Sequence, residues 1–223
     1  MLDLLGLVSR RIVLRQIKSN GFWFVDIPRT SSSSIRTELA RQFGSIYGKE
    51  NLLDQRLKIV TDRRRQSMQS LGIVDHSTAQ HIKKVLGSKA WYDLYTFALV
   101  RNPWDRMVSL YFYRLKRGQI DSGLSFRDYI AQLRTPRYSV KGSMHSRSAY
   151  YYSASEYICD QNGALMVDYV GRYEERWQFI ETVSKALAYP SLGGLVTQQA
   201  KPDGFHYSQL YDAESELIVG NAH

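Results

Sequence analysis

The chain holds one cysteine, Cys159, in 223 residues. No disulfide can form within it, and such a composition fits a reducing compartment. Metal-binding spacings are missing too: there is no H-E-x-x-H, no C-x-x-C and no acidic cluster with ligand spacing, so no metal is expected. Neither an internal repeat nor a long linker divides the sequence, and one domain over residues 1–223 is expected. The apolar N-terminus, Met1 to Val8, is broken by Asp3 and followed at once by Arg10 and Arg11. It is too short for a membrane span, and its charges lie on the wrong side for a signal peptide. A short amphipathic helix or first strand is expected there. The expected location is cytoplasmic, with no stable membrane insertion.

Positive charge is plentiful. Thirty Lys and Arg against 21 Asp and Glu leave a net charge of +9, which suits a polyanionic partner or an anionic small molecule without choosing between them. A hydrophobic content of 43% is enough for an ordinary folded core.

The chain is organised around Phe22 to Arg36. Phe22 to Ile27 is a short apolar run rich in aromatic and branched residues, which predicts a buried strand. Pro28 ends it, lacking an N–H for the ladder. Arg29 and Thr30 follow, then four hydroxyls, Ser31, Ser32, Ser33 and Ser34, and then Ile35, Leu39 and Phe43 at helical spacing. A strand, a tight polar loop and a helix start gather backbone N–H groups and a helix dipole at one spot, where an anion can sit. The nucleotide-triphosphate loop G-x-x-x-x-G-K-[ST] is absent, since no glycine lies between Asp26 and Phe43. A plain serine N-cap would read the same way.

Further along, Lys49 to Ser70 is polar and basic, with Arg63, Arg64 and Arg65 at its centre. It is either a solvated face or a surface for an acidic substrate. Ser77 and Gln80 form a capping-box pattern, predicting a helix through Ile82, Val85 and Leu86 to Gly87. His76 then lies just outside a helix N-terminus, which should keep its imidazole neutral and able to accept a proton. His81 reads as a helix residue of structural use. Tyr95 to Val100 predicts a second strand, broken by Asn102 and Pro103, with an amphipathic helix from Trp104 to Arg117. Arg101 falls at that strand's C-terminal end, where open α/β sheets bind ligands, and Ser109 falls inside the helix. If the two strands are neighbours, Arg101 shares a crevice with the Arg29 loop. The alternative is that Arg101 merely pairs with a carboxylate and Ser109 points to solvent. Helices are expected over Ser125 to Leu133, Arg176 to Ala188 and Tyr211 to Ile218, and a third strand over Val167 to Val170. The Tyr-, Ser- and Arg-rich stretch from Arg134 to Tyr152, with His145 and Arg147, is a candidate acceptor surface.

Taken in order, these segments resemble the sulfotransferases that use 3′-phosphoadenosine 5′-phosphosulfate (PAPS), most closely the carbohydrate and bacterial branch. Ile27 to Ser34 is similar to that family's 5′-phosphosulfate loop, commonly P-K-T-[AG]-[GS]-[ST]-[ST]. Val100 to Tyr111 closely matches its 3′-phosphate motif, R-N-P-x-x-R-x-x-S-x-[YF]. Residues 167–174 and 206–212 resemble late segments of the group, and 76–81 resembles the stretch that supplies a histidine base in some members. The resemblance implies an α/β, P-loop-like three-layer fold with a central, mainly parallel sheet flanked by helices. It implies that Arg29 contacts the leaving phosphate oxygen and that Thr30, Ser31, Ser32, Ser33 and Ser34 line the 5′-phosphosulfate. Arg101 and Ser109 would hold the 3′-phosphate, Lys201 would close over the donor, and His76 would be the general base. Arg64, His145 and Arg147 are the candidates for binding a small-molecule or saccharide acceptor. The pattern departs at Arg29, where the family has lysine, and at Ser31, where it has a smaller residue. The family's Pro-Gln pair is missing near Ser153 and Ala154.

The expected reaction is in-line transfer of a sulfuryl group from PAPS to an acceptor hydroxyl or amine. Two other readings stay open on sequence: a non-catalytic polyanion-binding module and a P-loop-like kinase. No nucleic-acid partner is expected, and the oligomeric state is not legible.

Overall fold

A computed structural model of the protein describes residues 14–15, 17–43, 72–132, 152–189 and 204–222. In chain order these form β1 (Phe22–Val25), α1 (Ser32–Phe43), α2 (Ala79–Leu86), α3 (Ser88–Tyr92), β2 (Tyr95–Val100), α4 (Pro103–Lys116), α5 (Phe126–Ala131), α6 (Ala154–Ile158), β3 (Tyr169–Arg172), α7 (Arg176–Ala186) and α8 (Ala213–Ala222). Short 3₁₀ turns at Tyr173–Glu175 and Tyr207–Leu210 precede the last two helices.

Alternating side chains explain the layers. Trp23 and Val25 of β1 and Ala98 of β2 face one way, into a core with Ile82, Trp91, Tyr157 and Ile158 of α2, α3 and α6. Phe22, Phe24, Phe97 and Leu99 face the other way, against Ile35 and Leu39 of α1 and Phe179, Ile180 and Val183 of α7. The strands are therefore covered on both sides, which is why they read as unbroken apolar runs rather than as polar–apolar alternation. They are all parallel, in the order β1-β2-β3. The expected α/β architecture, a parallel sheet between helical layers, is what the chain adopts. A third core joins α4, α5 and α8 through Met107, Leu110, Tyr111, Phe126, Tyr129, Ile218 and Val219.

Several boundaries differ from expectation, the last helix running Ala213–Ala222 rather than Tyr211 to Ile218, and three of the differences turn on side-chain hydrogen bonds. The third strand begins at Tyr169 rather than Val167, because the Asp168 carboxylate itself accepts from the Thr96 N–H and hydroxyl, both at 2.7 Å. The helix expected to be capped by Ser77 is capped one residue later by Thr78, whose hydroxyl accepts from His81 N. Ser77 spends its hydroxyl on the Val74 backbone, accepting at 3.0 Å and donating at 2.9 Å. Finally, β1 ends at Val25, and the carbonyl of Asp26 faces the His76 ring. His81 does have a structural use, with its Nε2 2.8 Å from Gly72 O.

Gly171 allows α7 to sit on the sheet. A Cβ there would lie 2.3 Å from Phe179 Cδ2 and 2.9 Å from its Cβ. Gly171→Ala should therefore destabilise the fold by about 1–3 kcal/mol, the usual range for overpacking, read as a lowered urea midpoint. A midpoint equal to wild type would contradict this close approach of Phe179.

Candidate functional site

The loop after β1 departs sharply from extended backbone. Arg29 and Ser31 both adopt left-handed conformations, with φ of 67° and 64°. Each costs a residue with a Cβ on the order of 1–2 kcal/mol. Alternating hands of this kind form the concave backbone turns that accept anions. Ser34 N and Ile35 N donate to Ser31 O at 3.0 and 3.1 Å, so the helix starts directly from the strained turn. The Thr30 hydroxyl donates to Ile27 O at 2.8 Å, so any donation from this residue to a ligand falls to its N–H. Ser32 is buried, Ser33 is exposed, and Ser31 and Ser34 are half-buried at the loop.

Because β1 and β2 are parallel neighbours, their C-terminal ends meet at one edge of the sheet. There Arg101 Nη1 donates to Arg29 O at 3.0 Å. Its Nε donates to Asp105 Oδ2 at 2.7 Å, with Nη2 at the same distance from that oxygen. Its guanidinium carbon stacks 4.2 Å from the Tyr173 ring centroid. Arg101 thus both faces the loop and pairs with a carboxylate. Ser109 is buried, and it accepts from Arg29 Nη2 at 3.0 Å and Nε at 3.3 Å. The Arg29 guanidinium also lies 4.3 Å over Tyr113. One face of α4 thus presents Asp105, Ser109 and Tyr113, one per turn, to the two arginines. The helix starts where it must: Asn102 caps it by accepting from Trp104 N and Asp105 N, with Pro103 in the first turn. The late segments close around that start. Asn102 N donates to Glu174 Oε1 at 2.9 Å, Tyr211 donates to Trp104 O at 3.0 Å, and Trp104 Nε1 donates to Glu216 O at 3.1 Å.

His76 is set differently from expectation. Its backbone is left-handed, with φ 65°, and its Nδ1 lies 3.2 Å from both the carbonyl and a carboxylate oxygen of Asp26. Arg36 Nη1 bridges Asp26 at 2.8 Å and Asp75 at 3.0 Å. Burial alone would lower the His76 pKa, but the Asp26 carboxylate outweighs it and raises the pKa above its ordinary value. Burial likewise pushes Asp26 upward, and Arg36 and then His76 override it, holding its carboxyl well below the usual range. The neutral imidazole expected from the helix N-terminus is therefore corrected to one drawn toward its charged form. Nδ1 facing a carboxylate leaves Nε2 as the proton-accepting nitrogen of the neutral tautomer.

Arg29, Thr30, Ser31, Ser32, Ser33, Ser34, Arg101 and Ser109 are thus brought to one edge of the sheet, and His76 sits at the foot of the same loop, on Asp26. Lys201, Arg64, His145 and Arg147 lie outside the described residues. Sequence reasoning missed Asp26, Arg36, Asp105 and Tyr113. Asp26 carried a signal: a carboxylate at the end of an otherwise apolar buried strand requires a cationic partner. Tyr113 carried another, being four residues beyond Ser109 in a helix.

A sequence model of the sulfotransferase family matches residues 16–204. The chain belongs to that family. No curated protein and no solved structure matches it. Among the described residues, no group of three or more His, Cys, Asp or Glu is placed to hold a metal ion, and no helix is long and apolar enough to cross a membrane.

Proposed function

We propose that this transferase is PAPS-dependent and belongs to the carbohydrate-directed branch, moving a sulfuryl group to a hydroxyl or amine of a saccharide or glycosylated metabolite. The observation that carries the reading is the convergence of Arg29, Arg101 and Ser109 beside the N-terminus of α1. The fit is chemical: two permanent cations, a buried hydroxyl and a strained loop at a helix N-terminus suit a ligand with two separated anionic groups. Arg101 and Ser109 would hold the 3′-phosphate; the loop N–H groups of Thr30 to Ser34 and the Arg29 guanidinium would hold the 5′-phosphosulfate. PAPS, when bound, supplies the activated sulfuryl group.

The rest falls to the protein. By analogy with phosphoryl transfer, such a site mainly aligns, neutralises and removes a proton. Arg29 places fixed positive charge where the leaving phosphate oxygen gains negative charge. His76 Nε2 takes the acceptor proton, with Asp26 holding Nδ1 and stabilising the imidazolium that results. Lys201 would close over the donor, and Arg64, His145 and Arg147 would meet the acceptor. The single cysteine supports a cytoplasmic setting. The test is conversion of PAPS to its desulfated product, PAP, across a panel of saccharides and glycosylated amines. Acceptor-dependent PAP formation without added metal is expected. Magnesium-dependent ATP hydrolysis with no PAP formed would overturn the reading in favour of a kinase.

A further inference from the structure

Ser109 has only 4% of its surface exposed, yet its Oγ accepts two hydrogen bonds from one guanidinium, Arg29 Nη2 at 3.0 Å and Nε at 3.3 Å. Among the described residues, nothing accepts the hydrogen of the Ser109 hydroxyl. A hydroxyl accepting from a cation turns its own hydrogen away from that cation and acts on any further neighbour as a donor. A buried donor left without an acceptor is unfavourable, and an anion satisfies it.

The guanidinium that imposes this orientation is itself held. The left-handed backbone at Arg29 is clipped by Arg101 Nη1 on its carbonyl at 3.0 Å. The planar head stacks 4.3 Å from the Tyr113 ring centroid. Tyr113 lies one helical turn beyond Ser109, so the ring and the hydroxyl share a face of α4 and address the same guanidinium. A lysine at position 29 offers a point charge on a flexible stem. It has no plane to stack and no rigid fork to donate twice to one oxygen.

We propose that Arg29 and Tyr113 form a specificity device for the 3′-phosphate: the stacked guanidinium fixes Ser109 as a donor, so the loop arginine selects sulfuryl donors that carry this phosphate over those that lack it. The inference rests on the PAPS reading above and deepens it. Arg29 serves the 5′ position by its charge and the 3′ position through Ser109, and Tyr113 is a positioning residue for both.

The test compares PAP with AMP, which lacks the 3′-phosphate, by titration calorimetry on wild type, Arg29→Lys, Tyr113→Leu and Tyr113→Phe. Wild type should prefer PAP. Arg29→Lys and Tyr113→Leu should each lose roughly tenfold or more in PAP affinity, the scale of one hydrogen bond to a charged group. AMP affinity should fall by a clearly smaller factor, because AMP keeps only the 5′ contact, and Tyr113→Phe should behave as wild type. In the unliganded protein, the Arg29 Nε–H resonance should be ring-shifted and protected from exchange, an effect lost in Tyr113→Leu and kept in Tyr113→Phe. Equal proportional losses of PAP and AMP affinity would overturn the inference while leaving the donor reading intact, as would a Tyr113→Phe protein as impaired as Tyr113→Leu. Wild type that binds PAP no better than AMP would overturn both.

Discussion

Replacing Arg29 with glycine should cut turnover by about 10²–10³-fold, the cost of removing one donor aimed at developing negative charge, while the melting temperature changes little. The two halves of this expectation have different causes. Arg29 occupies a left-handed conformation in which glycine pays no Cβ penalty. The strain relieved offsets the lost contacts to Ser109 and Tyr113. Catalysis has no such compensation, because no other loop residue from Pro28 to Ser34 carries a positive charge. An arginine kept in a strained backbone is what a site held for function rather than stability looks like. Steady-state kinetics beside a thermal melt separates the two effects. Near wild-type turnover would remove Arg29 from the reaction, and a collapsed melt would make it structural.

The second large effect concerns the histidine. His76→Ala should lower kcat/KM by roughly 10²–10⁴-fold, the range for a positioned general base. The pH dependence is the sharper test. The folded-state pKa of His76 lies above 6.5, so the acid limb of kcat/KM should have its midpoint above that value. Asp26→Asn removes the charge that raises it. Burial and Arg36 remain and lower it, while the Asp26 carbonyl still raises it, so the limb should move to lower pH. Stability has the opposite sense. The contribution from the raised His76 is full below its unfolded pKa of 6.5 and is lost as pH climbs through the folded value. The contribution from the depressed Asp26 is present above 3.8 and is lost as pH falls through its folded value. The ion pair therefore supports the fold most between these limits, and on the proposed mechanism activity should rise as His76 begins to give that support up. An acid limb unmoved by Asp26→Asn would break the link between the two residues.

Much of this was legible in the chain because it is written in local patterns. Phe22 to Val25 and Tyr95 to Val100 announce themselves as strands because both faces are buried. Asn102 and Pro103 announce the start of α4 because capping chemistry depends on adjacent residues. Arg101 falls beside the Arg29 loop if the two strands are neighbours, as they are, whereas Ser109 is given a place there only by the resemblance to the family motif. What escaped is non-local. The charge on His76 is decided by Asp26, fifty residues away, and the Asp26 charge in turn by Arg36, so the local helix-end argument pointed the wrong way. The third strand is offset because Asp168 reaches Thr96 across the sheet, a contact no single-segment pattern contains. Ser77, with Gln80 three residues on, is the better cap in sequence than Thr78. Only the turn that consumes the Ser77 hydroxyl gives the cap to Thr78.

The central claim is that this fold holds a donor carrying both a 5′ anion and a 3′-phosphate. Thermal denaturation with PAP, AMP and ATP at fixed protein and salt tests it most directly. Ser109→Ala is the companion variant, because Arg101→Ala would strand the buried Asp105 carboxylate and confound binding with folding. The account predicts that PAP at about 100 times its Kd stabilises the native state by roughly 2.7 kcal/mol, that AMP and ATP do much less, and that Ser109→Ala loses most of the PAP effect. An equal shift with ATP, or none with PAP, would contradict it.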